Sequence, residues 1–264
     1  MSDLTRTDLI KLIAKKKSYE KVMKKLCLIL GAVLMTAISV SSCGEGASGE
    51  KVSNEGASKD EDSPWEVITI GKQVWMTENL NVDKFRNGDP IPEAKTNEEW
   101  EKVGKEGKPA WCYYFKDEKT GSIYGKLYNW YALNDSRGLA PIGYHIPSDT
   151  EWTVLSDYLG GEAAAGTKMK STAGWWGNGN GTNSSGFSGL PCGYRYQWGD
   201  VFGFEVDGYW WSASEDSKNS AYIRIMFGEI NNGADGSVDI SPSDDLYRDS
   251  AIKGAGLSVR CLRD

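Results

Sequence analysis

Ser148-Asp149-Thr150-Glu151-Trp152-Thr153-Val154-Leu155-Ser156-Asp157-Tyr158-Leu159-Gly160-Gly161 reads as one complete helix with both ends marked. Ser148 followed three residues later by Glu151 is a capping box: the hydroxyl and the carboxylate satisfy N–H groups that the first turn leaves without partners. Trp152, Leu155 and Leu159 recur at helical spacing and predict one buried stripe. The glycine pair stops the helix, because glycine accepts the left-handed backbone of a C-terminal cap.

Outward from this helix the pattern changes. Upstream, residues 66–70 and 73–76 flank Gly71-Lys72, and glycine at the first position of a two-residue loop predicts a hairpin of type II′. Residues 97–103 predict a short helix, and residues 109–115 a dense aromatic strand. Tyr124, Leu127, Tyr128 and Tyr131 are spaced for one helical face, so a helix is expected to run to about Asn134. Downstream, residues 174–189 form a long Gly/Asn/Ser loop around Trp175-Trp176. Short strands are expected at 192–196, 209–213, 221–227 and 256–262. Early helices and late antiparallel strands place the fold in the α+β class.

All eleven Trp lie between Trp65 and Trp211, and the chain holds 31 Gly but a single His, His145. Charge is uneven. Residues 1–43 carry 8 of the 30 Lys+Arg and 3 of the 37 Asp+Glu, which leaves 22 basic and 34 acidic residues for the remainder. A polyanion binder shows a basic face; here the positive charge sits in the N-terminal segment, and nucleic acid is not an expected partner.

That segment reads as an export signal. Met23-Lys24-Lys25 is followed by the apolar residues 26–40 and then by Ser41-Ser42-Cys43. This is a charged n-region, an h-region and a small-residue cleavage site, and the apolar run is shorter than the roughly twenty residues of a membrane span. Met23 is a candidate true start. Val40-Ser41-Ser42-Cys43 resembles the bacterial lipobox, which implies a signal peptide over 1–43, passage through the general secretory route, and fatty acylation of Cys43 by chains such as palmitate. Gly44 follows the cysteine where an inner-membrane retention signal would place Asp, so the resemblance implies an outer-membrane lipoprotein, exposed at the cell surface and held to the membrane by its lipid. Residues 44–63 are almost devoid of apolar side chains, which predicts a flexible tether. One domain is expected over 64–264.

Within that domain, residues 70–80 (Ile-Gly-Lys-Gln-Val-Trp-Met-Thr-Glu-Asn-Leu), 124–130 (Tyr-Gly-Lys-Leu-Tyr-Asn-Trp), 143–148 (Gly-Tyr-His-Ile-Pro-Ser), 186–188 (Gly-Phe-Ser), 208–212 (Gly-Tyr-Trp-Trp-Ser) and 258–261 (Ser-Val-Arg-Cys) occur in this order. Together they resemble the Fibrobacter succinogenes major paralogous domain of Fibrobacter and Bacteroidota lipoproteins. The resemblance implies a C-type-lectin-like fold with two helices, a twisted antiparallel sheet and long irregular loops. It further implies a non-catalytic binding or adhesion module. It supplies neither a ligand nor catalytic residues. Relatives carry cysteines where Ala140 stands and near Gly121; this chain does not, so its disulfide pattern departs from theirs.

Each candidate site has a plainer reading beside it. Cys112, Cys192 and Cys261 remain in the domain; Cys192–Cys261 is a candidate disulfide joining two late strands, and buried thiols are the alternative. His145 is read as a hydrogen-bonded structural residue, and a single His excludes the usual zinc site. No cofactor is required, with calcium the exception that oxygen ligands permit. Glu215, Asp216 and Asn219 cluster in one loop and Asp235 lies in another; a solvated acidic loop is the default. Trp175 and Trp176 are candidates to stack on sugar rings, with Asn178 and Asn180 to bond hydroxyls; otherwise they pin the loop. Trp210 and Trp211 sit on a predicted strand, so one faces away from the core. Trp211 is the candidate for a binding surface, unless the loop covers it.

These readings favour a surface module that binds an extracellular glycan or protein and is not an enzyme. A fimbrial or envelope structural component is the first rival. The second is an oxidase, because residues 146–152 also resemble the Leu-Pro-Thr-Glu-Ala-Glu-Trp block of formylglycine-generating enzymes. An exposed cleft at Trp175, Trp176 and Trp211 would favour a glycan; a buried loop would favour the structural rival.

Overall fold

The computed structural model describes residues 57–59, 64–114, 118–228, 231–232, 238–239 and 243–264. By compactness the chain divides into residues 1–52 and 53–264, and all described residues belong to the second unit. The expected signal peptide, Cys43, and the tether up to residue 56 lie outside the described residues. No helix among the described residues is long and apolar enough to cross a membrane.

The chain is α+β. Its strands, in chain order, are β1 (Ala57–Lys59), β2 (Glu66–Ile70), β3 (Gln73–Met76), β4 (Trp111–Cys112), β5 (Leu127–Tyr128), β6 (Tyr144–His145), β7 (Cys192–Arg195), β8 (Val201–Phe204), β9 (Asp207–Glu215), β10 (Ser220–Phe227), β11 (Asn231–Asn232), β12 (Val238–Asp239), β13 (Tyr247–Ile252) and β14 (Leu262–Arg263). Five helices are described: α1 (Asn97–Lys105), α2 (Glu118–Tyr124), α3 (Trp130–Leu133), α4 (Asp149–Tyr158) and α5 (Glu162–Met169). That exceeds the two helices that the resemblance implies. One sheet runs β1-β2-β3-β14-β6 and a second β13-β10-β9-β7-β8. The β7/β9 pair is parallel, and the other named pairs are antiparallel. Within the stretch read as a tether, residues 57–59 pair with β2 as a sheet edge.

Helix α4 forms as its sequence dictates. Ser148 Oγ accepts from the Glu151 N–H and Glu151 Oε2 accepts from the Ser148 N–H at 2.8 Å. Trp152, Leu155 and Leu159 are buried, against Trp75, Phe187, Trp210 and Met226. Burial of one such leucine contributes roughly 1.5–3 kcal/mol. Helix α1 has the same signature in Thr96 and Glu99. The hairpin β2–β3 also forms, with Ile70 opposite Gln73 and Gly71 at φ +64°.

The helix expected through Tyr124–Tyr131 is replaced by three pieces. Gly125 takes φ +79° and lies against Asn79, where a Cβ would come within 2.9 Å of the Asn79 Cβ. The chain therefore turns at Gly125, and α2 ends before it. Leu127 and Tyr128 then pair with Cys112 and Trp111 as a short ladder, and Asn129 caps the single turn of α3 by accepting from Ala132 N–H.

The expected strand over 256–262 is instead an extended seam between the two sheets. On one side Met76 N–H and Leu80 N–H donate to the carbonyls of Cys261 and Val259; on the other, Trp211 N–H donates to the Ser258 carbonyl. Strands β8 and β13 were not legible in advance. β9 and β10 lie between two packed clusters. Trp211, Ile223 and Ile225 join Tyr128, Trp130 and Val259 on one side; Trp210 and Met226 join the α4 stripe on the other.

Candidate functional site on the late sheet

Over Asp207–Trp211 of β9 the side chains alternate, before the register with β10 shifts beyond Trp211. Asp207, Tyr209 and Trp211 share one face of the sheet, with Trp210 on the other. Cross-strand register then assembles a row. Tyr194 of β7 is opposite Phe202 of β8, and Gly193 is paired with Gly208, which sets Tyr194 beside Tyr209. Tyr209 is opposite Ile225, Ile225 opposite Tyr247, and Asp207 opposite Phe227. The rings follow one another across the sheet: Phe202–Tyr194 at 5.6 Å, Tyr194–Tyr209 at 4.7 Å, Tyr209–Phe227 at 6.4 Å and Phe227–Tyr247 at 5.1 Å between centroids.

The row starts on the core and ends in solvent. Tyr194, Tyr209 and Phe227 pack their inner edges on the Trp211 cluster and are half-buried, as is Phe202; Tyr247 is 41% exposed. Gly193 and Gly203 are needed to build it. At Gly193 (φ +60°) a Cβ would meet the Phe202 carbonyl oxygen at 2.2 Å, and at Gly203 (φ +76°) it would press on Asp207 Oδ2 at 3.0 Å. Asp207 sits beside the middle of the row, opposite Phe227, where Tyr209 Oη donates to its Oδ2 at 3.4 Å. Burial pushes its carboxyl up to about 7, against the opposing effect of the Tyr209 hydroxyl. A half-buried carboxyl beside a row of aromatic rings is the kind of perturbed group that marks binding sites. The turn of the same hairpin adds Trp198, 54% exposed and edge-on to Tyr196 at 4.7 Å.

The residues expected to bind ligand fare differently. Trp211 is fully buried and donates Nε1–H to the Tyr128 carbonyl at 2.8 Å, which corrects its reading as a surface residue. Both faces of β9 are covered at this point, so alternation leaves neither tryptophan outside. Trp175 is also buried; its Nε1–H donates to Ser171 Oγ and the Gly189 carbonyl, and Asn180 Oδ1 accepts from its backbone N–H. These two residues pin the loop rather than open a cleft, the outcome that at this loop favours the structural rival over a glycan site. Trp176 is half-buried and Asn178 exposed.

In the acidic loop, Glu215 Oε1 is 2.7 Å from Lys253 Nζ and Asp216 Oδ2 accepts from Ser220 Oγ at 2.7 Å. The Asn219 N–H donates to Ser217 Oγ, and Asp235 lies outside the described residues. Among the described residues no group of three or more His, Cys, Asp or Glu is disposed to hold a metal ion. Glu215 and Asp216 thus have protein partners of their own. Cys192 and Cys261 are free, buried thiols, not a disulfide. Cys192 Sγ lies 2.9 Å from Ser258 Oγ, and burial pushes the Cys261 thiol up to about 12. Thiols held neutral in this way are poor nucleophiles. Cys112 is buried as well. His145 is hydrogen-bonded on both ring nitrogens, to Asp264 Oδ1 at 2.8 Å and Glu151 Oε1 at 2.9 Å.

Sequence reasoning missed Tyr194, Phe202, Tyr209, Phe227, Tyr247 and Asp207. The local signal was the alternation of aromatic residues on either side of the turn at 196–200, which predicts a hairpin with one aromatic face.

In comparison with known proteins, the family model of the Fibrobacter succinogenes major domain matches residues 68–263, well over half of the chain. Neither a curated protein nor a solved structure matches it.

Proposed function

Because the chain belongs to the Fibrobacter succinogenes major domain family, we propose that it is an exported lipoprotein whose α+β domain is C-type-lectin-like and non-catalytic, and holds an extracellular glycan on the aromatic row of the late sheet. The observation that carries this reading is the row itself, Phe202–Tyr194–Tyr209–Phe227–Tyr247, with Asp207 beside Tyr209. The rings lie tilted or edge-on to one another, 31° to 89° between planes; an aromatic ring can pack on the apolar face of a pyranose, and the tyrosine hydroxyls and the carboxyl supply directional bonds to sugar hydroxyls. Export and anchoring rest on the sequence of residues 23–43: the charged start, the short apolar run and the cysteine after Ser41-Ser42. Two or more acyl chains on Cys43 suffice for stable attachment where one is marginal.

Two measurements test the reading. Mass spectrometry of the mature N-terminus is expected to find Cys43 acylated and residues 1–42 removed; an intact upstream peptide overturns the anchoring. A glycan array run with calcium and again with chelator is expected to show binding that Tyr209→Ala abolishes in a folded protein. A blank array under both conditions overturns the glycan reading and leaves a structural envelope role in its place.

A further inference from the structure

The charge around the row is one-sided. Strands β7, β8, β9, β10 and β13 carry three basic residues between them, Arg195, Arg224 and Arg248. All three are committed away from the row. Arg195 donates to the carbonyls of Ala94, Thr96 and Gly199 and to Asn97. Arg224 and Arg248 both hold Asp149 at the start of α4. Asp207 has the phenol of Tyr209 beside it, and among the described residues it makes no ion pair. A buried carboxylate without a cation is costly, and one that meets a cation recovers that cost. The π faces of the neighbouring rings attract the same sign of charge.

Given the glycan reading above, on which this step rests, we infer that the ligand is an amino-sugar polymer with unacylated amines: a ring lies on Tyr209 and its ammonium docks on Asp207. The row disfavours uronate, sulfated and phosphorylated glycans: the three arginines are committed elsewhere, and Lys170, whose Nζ lies 3.1 Å from the Phe227 carbonyl oxygen, is buried and also donates to the Ser243 carbonyl. N-acetylation of the amine removes both the charge and the fit to the carboxylate.

Three β-1,4-linked hexamers that differ at C2 test this by calorimetry on the full chain: the glucosamine hexamer, the N-acetylglucosamine hexamer and cellohexaose. The glucosamine hexamer is expected to bind roughly tenfold or more tightly than the other two, as one desolvated ammonium contact implies. Asp207→Asn is expected to remove that preference, and Tyr209→Ala to weaken all three ligands. Glu205→Gln, an exposed carboxylate on the adjoining turn, is expected to leave the preference intact. Equal affinity for all three hexamers overturns the inference while the glycan reading stands. So does a preference that survives Asp207→Asn, or one that Glu205→Gln erases equally, since that would mean diffuse attraction of a polycation. Absence of binding by every hexamer, together with a blank array, overturns both.

Discussion

Asn79 Oδ1 accepts from two nitrogens of Arg260, Nε at 3.1 Å and Nη2 at 2.8 Å, and from Trp210 Nε1 at 2.9 Å. Arg260 also donates to the carbonyls of Met76 and Phe187, and its guanidinium lies over the Phe187 ring at 4.3 Å. Asn79, Phe187, Trp210 and Arg260 come from four of the sequence blocks through which the chain resembles its family. They meet at one buried point that joins the two sheets, so these four side chains serve the fold.

Loss of the shared acceptor is therefore expected to be severe. Burial pulls the Arg260 guanidinium down to about 9, and among the described residues it has no carboxylate within ion-pair distance. Asn79→Ala would strand that charge and the Trp210 N–H, at a cost of about 3 kcal/mol or more. Arg260→Met in the same chain removes the stranded charge. Urea unfolding is expected to show the double variant markedly more stable than the sum of the two single losses. Strict additivity would mean that the two side chains do not depend on one another.

His145 ties the last residue of the chain to α4 through Asp264 and Glu151. Burial disfavours the charged imidazole, but the two carboxylates outweigh it, and the folded-state pKa is raised above 6.5. The stability this group contributes is thus fully present below pH 6.5 and is lost as pH rises through the raised value. Glu151 bounds the window on the acid side. Burial disfavours its charge, yet the Ser148 N–H and hydroxyl and then His145 hold its carboxyl below 4.5. Its contribution is present above 4.5 and fades as pH falls through the lowered value. Melting temperature measured from pH 4 to 9 is expected to fall as pH rises in the parent; the raised carboxyl of Asp207 accounts for the fall up to about pH 7, and His145→Gln is expected to lose the part that lies on the alkaline side of pH 6.5. A slope unchanged in the variant would assign it to another group.

Gly71 opens the β2–β3 hairpin at φ +64°, and its Cα faces the ring of Tyr158, where a Cβ would sit 2.9 Å from Cδ2. Two costs follow for Gly71→Ala: about 1–2 kcal/mol for a left-handed backbone, and a further penalty for displacing the ring. Tyr158 is itself exposed, so Tyr158→Ala is tolerable alone. Chemical denaturation of the double variant is expected to return the ring penalty and keep the backbone cost. Recovery to full parent stability would refute the backbone part.

Legibility followed range. The capping box and stripe of α4 and the hairpin at Gly71 were readable because each signal lies within a few residues. The spacing of Tyr124, Leu127, Tyr128 and Tyr131 misled because Gly125 is held by a contact with Asn79, 46 positions back in the chain. The alternation on β9 was read correctly, yet the inference from it failed: Trp210 and Trp211 do point to opposite faces, and packed clusters cover both. The aromatic row was out of reach because its five rings lie on five strands, and their adjacency depends on a register that only the assembled sheet defines.

That register makes three consecutive residues separable by experiment. Tyr209 is a half-buried member of the row, while Trp210 and Trp211 are fully buried in opposite clusters with their indole N–H groups bonded to Asn79 and to the Tyr128 carbonyl. Trp210→Ala and Trp211→Ala are each expected to cost about 3–5 kcal/mol, since each empties a large buried site and leaves a bonded acceptor without its donor. Tyr209→Ala leaves a gap that opens to solvent, and its cost should be nearer 1–2 kcal/mol. Ligand affinity should order the other way, lost in Tyr209→Ala and retained in whichever tryptophan variant still folds at low temperature. Urea midpoints and glycan binding measured on the same preparations check both orders, and a folded Trp211→Ala protein that loses binding while Tyr209→Ala keeps it would return the site to the tryptophan.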